Sequence, residues 1–140
     1  MKKVIVLLSV LVLMFSCSVD DENNDEFHFE ILPIASVEMP ESFTSGEVYN
    51  ITYSYEVPTS CHVYRDLYYV AESHIRTIAV INTVFEESNT VTCEDLSGQM
   101  EERTFQFYAG ALVGSYVFRF WQGEDENGDD IYMVYEVPIE

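Results

Sequence analysis

Asp125, Asn127 and Asp129 alternate as oxygen donors along the loop Glu124-Asp125-Glu126-Asn127-Gly128-Asp129-Asp130. Oxygens at every second position around a glycine are what a calcium loop needs. The distal bidentate glutamate that such loops use is missing, and Asn-Gly is a strong signal for the tip of a hairpin. The turn is therefore the first reading of this loop and calcium the second; no other cofactor is expected. Trp121, the single tryptophan of the chain, stands just before the loop. An exposed ring there can stack on a sugar face or on a partner's apolar side chain, and Tyr64 and Tyr68 are the other candidates for such a ligand-binding platform. The plainer alternative is that aromatic residues suit strands and fill a core.

Catalytic chemistry finds little support. His28, His62 and His74 stand in unrelated contexts with no paired metal-ligand spacing. His62 follows Cys61, but a disulfide consumes the sulfur that a nucleophile would need. No glycine-rich phosphate loop or nucleophile elbow occurs, and carboxylates are too abundant for spacing alone to single out a glycosidase pair. The chain is expected not to be an enzyme.

The charge balance narrows the partners. Of the 140 residues, 25 are acidic and six are Lys or Arg. Both lysines, Lys2 and Lys3, sit at the extreme N-terminus, so beyond residue 16 only Arg65, Arg76, Arg103 and Arg119 oppose the 25 carboxylates, a formal balance of −21. A phosphate backbone is bound through a basic footprint that displaces counterions, and none exists here, so nucleic acid is excluded as a partner. Basic docking to anionic lipid fails for the same reason.

The N-terminus itself has a different relation to membranes. After Lys3 the chain is apolar from Val4 to Phe15 with one interruption at Ser9, then reads Ser16-Cys17-Ser18. A run of this length falls short of the roughly 20 residues that a spanning helix requires, and a short apolar run behind two lysines has the layout of a signal peptide. The small residue and cysteine at its end resemble the lipobox of bacterial lipoprotein precursors, although Met14 and Phe15 replace the residues usual there. The resemblance implies cleavage before Cys17 and lipid on its thiol and new amine. The following Ser18-Val19-Asp20-Asp21-Glu22-Asn23-Asn24-Asp25-Glu26 resembles the acidic export tract of surface lipoproteins of the Bacteroidota, which implies display on the outer face of the outer membrane. So charged a tract is also expected to be a solvated tether. The expected organisation is a signal peptide over 1–16, a tether over 17–26 and one domain over 27–140.

Two cysteines then remain for the domain, Cys61 and Cys93, in a chain sent to an oxidising compartment; a disulfide follows as the default expectation. Throughout the domain the apolar residues alternate with period two, the pattern of strands with one buried face. Tyr49, Ile51, Tyr53, Tyr55 and Val57 form the clearest run. Phe27, Phe29 and Ile31 alternate before Pro33 interrupts, which suits an edge strand. Further runs cover Cys61–Val70, Ile75–Phe85, Arg103–Ala109, Ser115–Gln122 and Ile131–Pro138. The polar stretch Glu86–Glu102 is expected to be an excursion carrying a short strand at Thr90–Cys93. Ile78-Ala79-Val80-Ile81 is apolar without a break, which implies burial on both sides or a bulge.

About seven to eight strands at this spacing predict an all-β, antiparallel sandwich. Gly114-Ser115-Tyr116-Val117-Phe118 resembles the sixth strand of immunoglobulin-like domains, which implies that Tyr116 bonds back across a corner. The inter-sheet cysteine of antibody domains is replaced by Phe118, so the expected kinship stops at an immunoglobulin-like or fibronectin-like sandwich. The function expected is that of a lipid-anchored surface protein binding a protein partner or contributing to an envelope assembly. The alternative is a carbohydrate-binding accessory domain of a glycan uptake system.

Overall fold

The computed structural model describes residues 27–110 and 114–140. The signal segment 1–16, Cys17 and the acidic tract 17–26 lie outside the described residues, as do 111–113 in the predicted Gly110–Gly114 turn. The domain is all-β. Its strands are β1 (Phe27–Leu32), β2 (Ile34–Glu38), β3 (Val48–Glu56), β4 (His62–Glu72), β5 (Ile75–Phe85), β6 (Met100–Tyr108), β7 (Ser115–Glu124) and β8 (Asp130–Pro138). They form a three-stranded sheet, β2-β3-β6, and a five-stranded sheet of β1, β4, β5, β7 and β8.

The two sheets share one core. β3 contributes Ile51, Tyr53 and Tyr55 from its alternating face, and β7 contributes Tyr116, Phe118 and Phe120 from the other sheet. Phe107 of β6 meets Phe118 with ring centroids 5.0 Å apart and planes at 80°, the edge-to-face arrangement that aromatic quadrupoles favour. Tyr116 is almost wholly buried, and its hydroxyl accepts the backbone N–H of Gly110 at 3.1 Å. This is the corner bond expected of it, tying Gly110 to the start of β7.

β5 is the central strand of the larger sheet. One edge pairs with β4 along its length, while the other is divided between β1, antiparallel over Leu32–Phe27, and β7, parallel over Val117–Phe120. Being paired on both edges and covered on one face explains the unbroken apolar run: Ile78, Ala79 and Val80 are all buried. The parallel β5–β7 pair is a departure from the antiparallel expectation and makes the larger sheet mixed.

Three local expectations need correction. The short strand at Thr90–Cys93 is absent: the stretch is irregular, and the excursion is fastened by an isolated bridge between Thr59 and Asp95, with Ser60 N–H donating to Glu94 O at 2.9 Å. β6 starts at Met100, three residues before the expected Arg103, because the pairing with β3 continues to Glu56. β1 alternates as predicted but faces the other way. Leu32 is buried opposite Val80, and a strand's two-residue period then turns Phe27, Phe29 and Ile31 outward and His28 and Glu30 inward. The polar residues of that side are paired, Glu30 with the largely buried His62 through Nε2 at 3.0 Å and the exposed His28 with Glu86 at 2.9 Å.

The disulfide is present. Cys61 and Cys93, with Cα atoms 5.2 Å apart, join the start of β4 to the excursion between β5 and β6.

Candidate functional site

The outer face of the five-stranded sheet is where exposed apolar surface collects. Phe29 is 53% exposed, Ile31 48% and Val134 57%, joined by Phe27, Val63 and Tyr68. Several exposed apolar side chains on one face of a small domain mark an interaction site more often than exposed residues scattered singly do. Two of the four arginines lie on this face, Arg65 over the Phe29 ring at 4.1 Å and Arg119 over Tyr132 at 4.1 Å. Aromatic residues and arginine are the types enriched where proteins meet.

A pocket of about 180 Å³ opens in the middle of that face. It has a topological cause. Along one edge of β5, β1 ends with Leu32 opposite Val80 and the parallel pairing of β7 ends with Phe120 opposite Ile78. Ala79 is left between them with a partner only on β4, Tyr68. The chain leaves β1 at Pro33 for the smaller sheet, and β7 bulges at Gln122, whose side-chain amide donates to Ile34 O at 3.4 Å. Gly123 closes the bulge with φ +114°, a conformation that L side chains rarely adopt. Small Ala79 and Thr77 line the gap, and Ile31, Tyr68, Trp121 and Tyr132 surround it.

Asp130 completes the pocket. Its carboxylate accepts Trp121 Nε1–H at 2.8 Å and the Tyr132 hydroxyl at 3.1 Å. These two bonds fix both rings around one anionic group. Desolvation, and then the neighbouring Asp130 carboxylate, hold the Tyr132 phenol above its ordinary pKa.

Of the aromatic platform expected from the sequence, Trp121 and Tyr68 are brought together and Tyr64 is not. A bulge between Tyr64 and Asp66 adds one residue to β4, so positions four apart, which share a face on a regular strand, here face opposite ways. Tyr64 turns inward, under Arg103 at 3.6 Å from its ring centroid, within hydrogen-bond distance of Tyr53 Oη at 3.4 Å. Burial raises the Tyr55 phenol to about 12 beside Arg103 and Glu101, which pair with each other. Tyr132 and Asp130 are the site residues that sequence reasoning missed. The signal was the register of the last hairpin, which sets Tyr132 directly across from Trp121.

The inner face carries a second polar arrangement. Thr59 Oγ1 lies 2.8 Å from His62 Nδ1, and His62 Nε2 lies 3.0 Å from Glu30. Hydroxyl, imidazole and carboxylate follow one another as in a nucleophile triad. The Thr59 oxygen, however, also accepts the Cys61 N–H at 3.2 Å, so the series ties the turn before β4 to β1. Next to it Asn82 is fully buried, and among the described residues neither polar atom of its amide has a hydrogen-bond partner. A larger cavity of about 350 Å³ lies between the free edges of β4 and β6, lined by Leu67, Tyr69, Phe105 and Phe107 with Arg76 at its side. That guanidinium is already engaged by the carbonyls of Ser73 and Ile75, both at 2.8 Å.

The acidic loop is built as a turn. Asp125 Oδ1 accepts the N–H of Asn127 at 2.8 Å and of Asp129 at 3.0 Å, and Gly128 N–H donates to Asp125 O at 3.0 Å. The oxygen that a calcium ion would take is therefore directed into the loop's own backbone. Those bonds stabilise the carboxylate and lower its pKa, first through Asp129 and then through Asn127. A group whose folded pKa is depressed stabilises the fold above its unfolded pKa, and that contribution is lost as pH falls through the folded value. The Asn127 and Asp129 amide resonances are expected to titrate together below the ordinary aspartate range. An NMR titration showing them move at or above the ordinary aspartate pKa of 3.8 would contradict the Asx turn.

No protein-family model, curated protein or solved structure matches the chain.

Proposed function

We propose that this chain is a non-enzymatic, surface-anchored lipoprotein whose sandwich binds a protein partner through the outer face of its five-stranded sheet. The lipid sits on Cys17, and the acidic tract 17–26 sets the domain off from the outer membrane. The observation that carries the reading is the outward-facing apolar set Phe27, Phe29 and Ile31 on β1, continued by Tyr68 and Val134. A strand that needed only to cover a core would turn such residues inward. Instead the apolar side faces solvent, and on the other side His28 and Glu30 pair with Glu86 and His62.

The second reading is a carbohydrate-binding accessory domain of a glycan uptake system. It is favoured by the pocket, where Trp121, Tyr68 and Tyr132 gather around one carboxylate. Aromatic faces stack on the apolar faces of sugars, and a carboxylate accepts from hydroxyls. A built glycan site uses several convergent polar groups, however, and this pocket offers Asp130, Thr77 and the two phenols.

The test is cross-linking on intact host cells. The wild-type chain is expected to capture a discrete envelope or secreted protein, and the variant Phe29→Glu/Val134→Glu to lose it at equal surface abundance. Capture of lipid alone, or capture unaffected by the double substitution, counts against the reading.

A further inference from the structure

The outer face does more than offer apolar area. We infer that the pocket at Ala79 is a cage for an alkylammonium group, the seat for a lysine side chain of the partner; this rests on the reading of the outer face as a docking surface.

Three observations carry it. The walls are the rings of Trp121, Tyr68 and Tyr132, and a cation close to such ring faces is attracted by their quadrupoles. Asp130 supplies a negative charge at the same place, and its two bonds are to neutral donors, Trp121 Nε1–H and Tyr132 O–H. Among the described residues no ion pair reaches it: the pairs present are His28–Glu86, His62–Glu30 and Arg103–Glu101. Arg119 lies over Tyr132 without bridging to the carboxylate. Finally, a chain with four arginines against 25 acidic residues and no lysine beyond Lys3 attracts basic partners from a distance and cannot fill the cage from its own sequence with an ammonium group.

The shape selects among cations. A guanidinium is planar and suits stacking on a single ring face; an ammonium is compact, and rings on several sides with one acceptor suit it better. A pyranose would have to satisfy its several hydroxyls from Asp130, Thr77 and two phenols alone.

Trp121 is the only tryptophan, so its fluorescence reports this pocket alone. The full chain in mild detergent is titrated with Nα-acetyl-lysine methylamide, its neutral isostere Nα-acetyl-norleucine methylamide, and methyl glucoside. The lysine probe is expected to give a saturable change, at least about tenfold tighter than norleucine, weakened by added salt. Asp130→Asn keeps the side chain's shape and is expected to abolish that preference; Tyr68→Ala, on a different strand, is expected to weaken lysine binding about tenfold or more at unchanged circular dichroism. Equal binding of lysine and norleucine overturns the cage in favour of a simple apolar pocket. Saturation by glucoside without lysine overturns it in favour of the glycan reading. If no probe saturates while the Phe29→Glu/Val134→Glu chain still loses its cross-linked partner, the cage falls and the docking face stands.

Discussion

Replacing Phe118 with alanine is expected to lower the stability of the domain by about 3 to 5 kcal/mol, as large-to-small aromatic changes in packed cores do. The side chain is fully buried, and four rings surround it: Phe107 at 5.0 Å, Phe43 at 5.8 Å, Phe120 at 6.2 Å and Tyr116 at 6.4 Å between centroids. It stands where the sheets meet, so its removal takes contacts from both. The surrounding rings are large and rigid and cannot easily collapse into the space. Small domains have total stabilities of roughly 5 to 15 kcal/mol, so the variant would retain little margin. Urea unfolding checks this, with Val134→Ala on the exposed face as a control expected to stay within about 0.5 kcal/mol of wild type. A Phe118→Ala loss near 1 kcal/mol would mean that the two sheets are not packed through this ring.

Removing the disulfide, as Cys61→Ala/Cys93→Ala, is expected to cost about 3 to 4 kcal/mol on the chain-entropy account. The bond closes a loop with a sequence separation of 32. Its local role is as definite as its entropic one. The excursion between β5 and β6 contributes no strand and is held by single backbone bonds, Ser60 N–H to Glu94 O and Leu96 N–H to Pro58 O, both at 2.9 Å. Hydrogen exchange at Ser60 and Leu96 should therefore accelerate on reduction, while the β3–β6 ladder stays protected. An unchanged urea midpoint after reduction would show that the loop's closure adds nothing to folding.

The strand rhythm was legible because most strands keep one phase from end to end. β3 shows this best: Ile51, Tyr53 and Tyr55 are buried on one face, with Thr52 and Ser54 on the other. Where phase changes inside a strand, the sequence misleads. Tyr64 and Tyr68 look equivalent at a spacing of four until the bulge near Arg65 separates them. β1 misleads in another way. Its longer apolar series, 27-29-31, gives way to Leu32 and Ile34 on the opposite phase, and it is the shorter series that reaches the core. The offset is visible in the sequence, but its direction depends on which set another sheet covers.

The candidate site was half legible for a related reason. Trp121 could be placed on the outer face from its alternation with Phe118 and Phe120. Its partners depend on pairing, and pairing across sequence distance leaves no local trace. Tyr132 meets Trp121 through the register of a hairpin, and Ile31 reaches the same pocket only because β1 and β7 share one edge of β5. The parallel β5–β7 pair was hidden by the same cause, since no turn chemistry announces a parallel neighbour.

That shared edge has a mechanical consequence. β1 is the first strand after the tract that leads back to Cys17, and it ends beside the pocket through Ile31 before crossing to the smaller sheet at Pro33. With the proposed lipid on Cys17, tension would enter the domain at Phe27 and run down a strand held, among the described residues, on one side only, by its six register pairs with β5. On the proposed function, a pull between membrane and captured partner would be borne by one wall of the pocket, coupling grip on the ligand to strain on the leash through a single edge.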